Sequence, residues 1–218
     1  MFRDRTDAGR RLAQAIGRPR WGPSVVVALP RGGVPVALPV ARALHAPLDL
    51  LLVRKVGALG DAELAVGAVA EGDPPVVIVD QESLGWTGES EAEVRRRAAG
   101  ELAEIERRRA VYLAGRARPP VTARTVVLVD DGLATGTTAR AAIAALRERE
   151  PARLVLAVPV GAADTVEALR GLVDQLVCLE QPAPFHGVGA HYEDFRQVDD
   201  AEVVAALASL PAPEEARP

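Results

Sequence analysis

An α/β fold, with a mostly parallel sheet flanked by helices, is predicted by three features of the chain. Short apolar runs alternate with segments of helical period, the pattern of repeated strand-helix-strand units. Runs such as Val126–Val129 and Leu154–Val158 are apolar throughout, which marks strands buried on both faces. Two of the runs end in glycine-bearing turns that lead straight into helices, and such crossovers build parallel sheets.

Taken in order, the first helix covers about Thr6 to Ile16, with Ala8, Leu12, Ala15 and Ile16 on one side. Strand Ser24–Leu29 leads through Pro30-Arg31-Gly32-Gly33 into a helix over Val34–Leu44, and Leu48–Val53 forms the second strand, ending at Arg54-Lys55. Leu64–Ala70 and Val76–Asp80 flank the turn Glu71-Gly72-Asp73-Pro74-Pro75 and pair as a hairpin. Ser90-x-x-Glu93 is a capping box opening a long helix to Leu113, whose apolar stripe is Val94, Ala98, Leu102 and Ile105. After strand Val126–Val129, a helix runs from near Thr138 to Arg149, then strand Leu154–Val158, helix Asp164–Arg170 and the last core strand Gln175–Leu179. Glu180–Val198 is irregular, Ala201–Leu210 is a short helix, and Pro211–Pro218 frays. The organisation is one domain over 1–218, with a helical insertion at 81–118 and a small C-terminal hood or flap at 181–198.

Composition narrows the function. A net charge of −4 gives no support for nucleic-acid binding, and the arginine clusters Arg95–Arg97 and Arg107–Arg109 are interleaved with glutamates, as on a salt-bridged solvated face. No apolar stretch reaches the ~20 residues of a membrane span and the N-terminus lacks a signal-like core, so a cytoplasmic protein is expected. The single cysteine, Cys178, lies in an apolar run and reads as an inert thiol. His186 and His191 have no zinc-like spacing with partner cysteines.

The chemistry concentrates in Val126–Thr138, which reads Val-Val-Leu-Val-Asp-Asp-Gly-Leu-Ala-Thr-Gly-Thr-Thr. A strand that ends in a glycine turn and enters a helix points backbone N–H groups at one place, where the helix N-terminus adds partial positive charge. Gly132 and Gly136 allow close approach of the main chain, and Thr135, Thr137 and Thr138 add hydroxyl donors. The turn lacks the lysine of a nucleotide P-loop, so a phosphate here meets neutral donors, as suits a terminal sugar phosphate. Asp130 and Asp131 only accept hydrogen bonds; they repel phosphate but suit a ribose diol a few ångströms away. Ribose 5-phosphate satisfies both halves.

Pro30-Arg31-Gly32-Gly33 emerges at the same carboxyl edge of the sheet, where open α/β folds bind ligands. Gly32 and Gly33 expose N–H groups, and Arg31 carries a planar fork suited to phosphate oxygens. Arg54 and Lys55, expected at that edge too, suit a pyrophosphate; Lys55 is the only lysine in the chain.

Over Val126–Thr138 the chain closely resembles the signature of the type I phosphoribosyltransferases: apolar strand, two acids, then a loop ending Thr-Gly-x-Thr or similar. The resemblance implies that Asp130 and Asp131 hold the ribose hydroxyls of phosphoribosyl pyrophosphate (PRPP), while Gly132 and Ala134, Thr135, Gly136, Thr137 and Thr138 grip its 5-phosphate. Pro30, Arg31, Gly32 and Gly33 look like the family's pyrophosphate loop, joined by Arg54 and Lys55. That loop typically contains a cis peptide, for which Leu29–Pro30 is the low-cost place and the bond before Arg31 the alternative. Catalytic roles fall to Arg31, Lys55, Asp130 and Asp131. The tail Phe185–Phe195 looks like the segment over the base in purine enzymes, which makes Tyr192 or Phe185 the candidate base stacker and lets Glu193 or Asp194 reach a metal. Magnesium is the implied cofactor, with Asp130, Asp131 and Glu193 as candidate ligands.

The implied reaction transfers ribose 5-phosphate from PRPP to a nitrogenous base with release of pyrophosphate. Ala134 stands where enzymes acting on 6-oxopurines usually carry an aspartate, so the acceptor stays open, as does a homo-oligomer. Family members carry a mobile loop near the place of the long arginine-glutamate helix, and the turn Gly85–Gly88 is an alternative point of closure. The rival is a PRPP-binding regulator without catalysis, which needs a nucleic-acid surface or partner domain that charge and length do not offer.

Overall fold

The computed structural model describes residues 1–17 and 21–210; the tail expected to fray, 211–218, lies outside them. Helix α1 (Arg5–Ile16) is followed by β1 (Ser24–Ala28), α2 (Gly33–Leu44) and β2 (Leu48–Leu50). Then come β3 (Val53–Ala58), β4 (Asp61–Ala70), β5 (Val76–Val79), α3 (Gln81–Thr87), α4 (Glu91–Leu113) and β6 (Thr125–Val129). The chain continues through α5 (Thr137–Arg147), β7 (Arg153–Val160), α6 (Ala163–Arg170), β8 (Gln175–Glu180), a 3-10 turn (Val188–His191) and α7 (Asp200–Ala208).

Five strands form a parallel sheet in the order β2-β1-β6-β7-β8. Alternation along each strand splits the core in two. Val26, Ala28, Val127, Val129, Val155 and Ala157 face α2 and Leu12 of α1, whereas Val25, Val27, Val126, Leu128, Leu154 and Leu156 face α5 and α6. Both faces are buried, which is why the central positions of β1, β6 and β7 are apolar; each buried valine or leucine there contributes about 1.5–3 kcal/mol.

The second strand differs from its sequence expectation. Leu48–Val53 is one apolar run, but the chain leaves the parallel sheet inside it. The N–H of Leu51 still donates to Ala28 O at 3.1 Å, whereas Leu52 exchanges bonds with Glu71: its N–H reaches Glu71 Oε1 at 3.3 Å and its carbonyl accepts from Glu71 N at 2.9 Å. Arg54 and Lys55 therefore belong to an antiparallel sheet, β3-β4-β5, and do not end a parallel strand. The expected hairpin is its β4–β5 pair. One face of this sheet packs Val56, Val66 and Val69 with Val94 and Ala98 of α4; the other places Ala68 and Ala70 with the α5 core.

Ser90 caps α4 in the expected reciprocal box with Glu93, and Arg95–Glu91, Arg107–Glu104 and Arg108–Glu104 pairs lace its solvated face. The proposed turn Gly85–Gly88 is not a loop: residues up to Thr87 are helical in α3, capped at its start by Asp80 and closed by Gly88 at φ +70°. The segment 181–198 is laced to the chain start. Phe2 N–H donates to His191 O, Glu193 N–H to Phe2 O and Asp194 N–H to Arg3 O, each at 2.8 Å. Cys178 is half-buried, its thiol pushed up to about 11 by burial. No described helix is long and apolar enough to cross a membrane.

Candidate functional site

The strand β6 delivers Asp130 and Asp131 to the carboxyl edge of the parallel sheet, and the turn that follows is stitched to the end of β7. Leu133 N–H donates to Val160 O at 2.9 Å, Ala162 N–H returns a bond to Leu133 O at 2.9 Å, and Thr165 Oγ1 donates to Ala134 O at 2.6 Å. Gly136 begins α5 at φ +76°, and a Cβ there would meet Thr165 Cγ2 at 2.7 Å. No side chain caps this helix start. Its first-turn N–H groups are thus left to an incoming acceptor, with the positive end of the helix behind them.

The loop Pro30–Gly33 leans directly on the acids. A Cβ on Gly32 would lie 2.0 Å from Asp131 Oδ2, and one on Gly33 would lie 2.8 Å from Val129 O and 3.4 Å from Asp130 Oδ1. Only glycine lets the two loops approach this closely. The cis peptide is Pro30–Arg31, the alternative position, and not Leu29–Pro30.

Between the loops lies a cleft of about 490 Å³. Of the residues expected in the site, Pro30, Gly32, Arg54, Lys55, Asp130, Asp131, Gly132, Ala134, Thr135, Gly136 and Thr138 line it. The two acids are crowded: burial, then the charge of Asp131, hold the Asp130 carboxyl well above the usual range, with Lys55 and Arg5 acting the other way. Burial likewise raises Asp131, opposed by Arg5. Asp131 N–H donates to Asp130 Oδ1 at 2.8 Å, which orients the first acid.

Other expected residues sit apart. Arg31 turns its guanidinium to Asp200 at 3.4 Å, and Gly33 is built into α2. Thr137 is buried, its hydroxyl 3.2 Å from that of Thr135, in a neighbouring groove between β5 and α5. Arg54 lines the cleft with its Nε held by Glu101 at 2.8 Å. Tyr192 is 5% exposed, its ring between Phe2 and Phe195 and its hydroxyl donating to Asp131 O at 2.6 Å. It supports the acid from behind and presents no face to a base in the cleft. Phe185 stacks on His191, with ring centroids 5.7 Å apart. From this tail it is Val188 that reaches the cleft, packed onto Gly132.

Sequence reasoning missed Arg5. It is 9% exposed, and its Nε donates to Asp131 Oδ2 at 2.8 Å. One arginine at the start of an amphipathic helix looks solvated, and only the tertiary contact reveals otherwise.

With this geometry in hand, comparison with known families is decisive: the phosphoribosyl transferase domain matches residues 3–194. The chain belongs to the phosphoribosyl transferase family. Two Mycobacterium tuberculosis proteins, MT0597 of strain CDC 1551 and Rv0571c of strain H37Rv, carry phosphoribosyl transferase in their names. Each is 44% identical to this chain over 207 residues, covering 95% of it and 46% of the relative. This phosphoribosyl transferase domain thus spans about half the length of those curated relatives. The crystal structure of TT1426 from Thermus thermophilus superposes with a TM-score of 0.78 at 41% identity, covering 96% of this chain and 98% of that one.

For a metal, the phosphoribosyl transferase cleft offers the carboxylates Asp130 and Asp131; Glu193 does not line it. Among the described residues no cluster of three or more His, Cys, Asp or Glu side chains forms a protein-only cage. A pair of carboxylates fits magnesium, which keeps waters and takes most of its oxygens from a phosphorylated ligand.

Proposed function

We propose that this domain transfers the ribose 5-phosphate of PRPP to a nitrogenous base and releases pyrophosphate. The observation that carries this reading is the meeting of two sets of groups in one cleft. One set is the acid pair with the uncapped start of α5, and the other is Pro30, Gly32 and Lys55. The first matches a sugar phosphate with its diol; the second adds room and positive charge for a second phosphoryl group.

In the reaction a ring nitrogen bonds to the anomeric carbon as the carbon–oxygen bond to pyrophosphate breaks, the bonding electrons leave on that oxygen, and the proton of the base is released to solvent. The donors at the start of α5 fix the 5-phosphate, and the acids accept from the ribose hydroxyls, so the anomeric carbon is held for attack. Lys55 offsets charge developing on the leaving oxygen. Asp130 and Asp131 would hold magnesium, which when bound would supply charge neutralisation of the pyrophosphate. Arg31 joins the site once it leaves Asp200. The loop alanine, Ala134, supports an acceptor other than a 6-oxopurine.

The test is pyrophosphate release from PRPP and magnesium across a panel of purine and pyrimidine bases. Turnover on one base supports the enzyme reading. Calorimetric PRPP binding with no turnover on any base replaces it with a PRPP-binding regulator.

A further inference from the structure

The acid pair does not stand alone on its loop; it is braced by residues from both ends of the chain. Arg5, in the first turn of α1, donates from Nε to Asp131 Oδ2 at 2.8 Å. The same guanidinium is held in two other ways. Its Nη1 donates to Arg196 O at 2.8 Å, and its Cζ stacks over the Phe195 ring at 3.8 Å. Tyr192 completes the frame, its hydroxyl donating to the backbone oxygen of Asp131 at 2.6 Å.

We propose that Arg5 is a positioning residue for ribose recognition: it fixes Asp131 Oδ2 and so leaves Oδ1 as the oxygen that accepts from the sugar diol. This inference rests on the PRPP reading above.

Three arguments converge on it. Arg5 is immobilised by a carbonyl and an aromatic face before any ligand arrives, so the orientation it imposes is preorganised. Asp131 lies against Gly32, where a single Cβ would fall 2.0 Å from its Oδ2, so the carboxylate has little freedom to turn elsewhere. Arg5 also places a positive charge beside two adjacent acids that otherwise repel a phosphorylated ligand. The role is one of aim, since Arg5 does not line the cleft.

The experiment compares calorimetric binding of ribose 5-phosphate and 2-deoxyribose 5-phosphate, which differ by one hydroxyl of the diol. The wild type is expected to favour the ribose form by about tenfold or more, the worth of a hydrogen bond to a charged acceptor. Arg5→Gln is expected to cut that preference to about twofold, with ribose 5-phosphate losing clearly more affinity than 2-deoxyribose 5-phosphate. Arg5→Lys, which keeps a charged donor, is expected to restore part of the preference. A purely structural role predicts equal weakening of both sugars, and that result overturns the inference, as does an unchanged preference in a folded Arg5→Gln protein. Should Arg5→Gln not fold, Phe195→Leu loosens Arg5 without removing it, and the same narrowing is required of it. Failure of the PRPP reading looks different: the wild type itself then shows no preference between the sugars and no PRPP binding.

Discussion

Arg31 pairs with Asp200, Nη1 to Oδ1 at 3.4 Å, and so faces the last helix and not the cleft that its own loop lines. The same Oδ1 accepts from the Tyr112 hydroxyl at 2.7 Å, which anchors Asp200 to α4. On the proposed reading, Arg31 exchanges this carboxylate for the pyrophosphate of a ligand. Asp200→Asn should therefore lower the KM for PRPP, by about fivefold at most, because a half-exposed ion pair is worth about 0–1 kcal/mol. Steady-state kinetics decide it; an unchanged KM means that Asp200 does not compete for Arg31.

Gly32→Ala tests the closeness of the two loops. The new Cβ lands 2.0 Å from Asp131 Oδ2 and 3.2 Å from Arg5 Nε. Asp131 has to move, at a cost of about 1–3 kcal/mol. PRPP binding by calorimetry should weaken by more than tenfold, with a lowered melting temperature. Wild-type affinity in this variant would remove the acid pair from the site.

At Gly136 two penalties can be separated. Alanine there must adopt φ +76°, costing about 1–2 kcal/mol, and also collides with Thr165 Cγ2. Adding Thr165→Ser deletes the methyl but keeps the hydroxyl that bonds Ala134. Chemical denaturation should show the double variant recovering part of the loss and never all of it.

Asp130→Asn should uncouple stability from function. Burial and the neighbouring Asp131 disfavour the Asp130 carboxylate, so a neutral amide of the same shape relieves the protein. The melting temperature at neutral pH should rise by a few degrees, on the order of 1 kcal/mol, while PRPP binding is lost. A melting temperature that falls would show that the acid is stabilising in the free protein.

The pH dependence of one surface carboxylate has a defined sign. Asp174 accepts from Leu154 N–H at 2.7 Å and from Arg147 at 3.0 Å, and these bonds hold its carboxyl below the ordinary range. Its contribution is complete above the unfolded value near 4 and is lost as pH falls through the lower folded value. The destabilisation caused by Asp174→Asn should appear at pH 7 and shrink towards pH 2 in urea titrations. A difference that grows on acidification contradicts this assignment.

The parallel sheet was readable from the chain because its strands are buried on both faces, and α4 because its cap and stripe are local. The split of Leu48–Val53 was not readable. Leu51 and Leu52 are both buried, so no polar residue or breaker marks the change of sheet, which depends on the distant partner Glu71. Helix α3 was hidden by Gly85 and Gly88, although Asp80 is a good N-cap. In the site, the loop Val126–Thr138 carries its own instructions, as glycine and threonine act through local backbone geometry. Arg5, Asp200 and the inward turn of Tyr192 arise from contacts between segments more than a hundred residues apart or across helices, and sequence spacing is silent about those.

The division into two sheets has a mechanical side. Asp130 and Asp131 ride on the parallel sheet and Lys55 on the antiparallel one, and among the described residues no strand pair joins the two sheets. Their links are the short stretch Leu51–Leu52, the packing of side chains against α4 and α5, and Arg118, which donates to Asp49 and Leu50 O of β2 and to Glu71 at the end of β4. A change in the width of the cleft would leave every ladder of backbone hydrogen bonds intact on either bank, and would be resisted by packed apolar surfaces and by the bonds of Arg118.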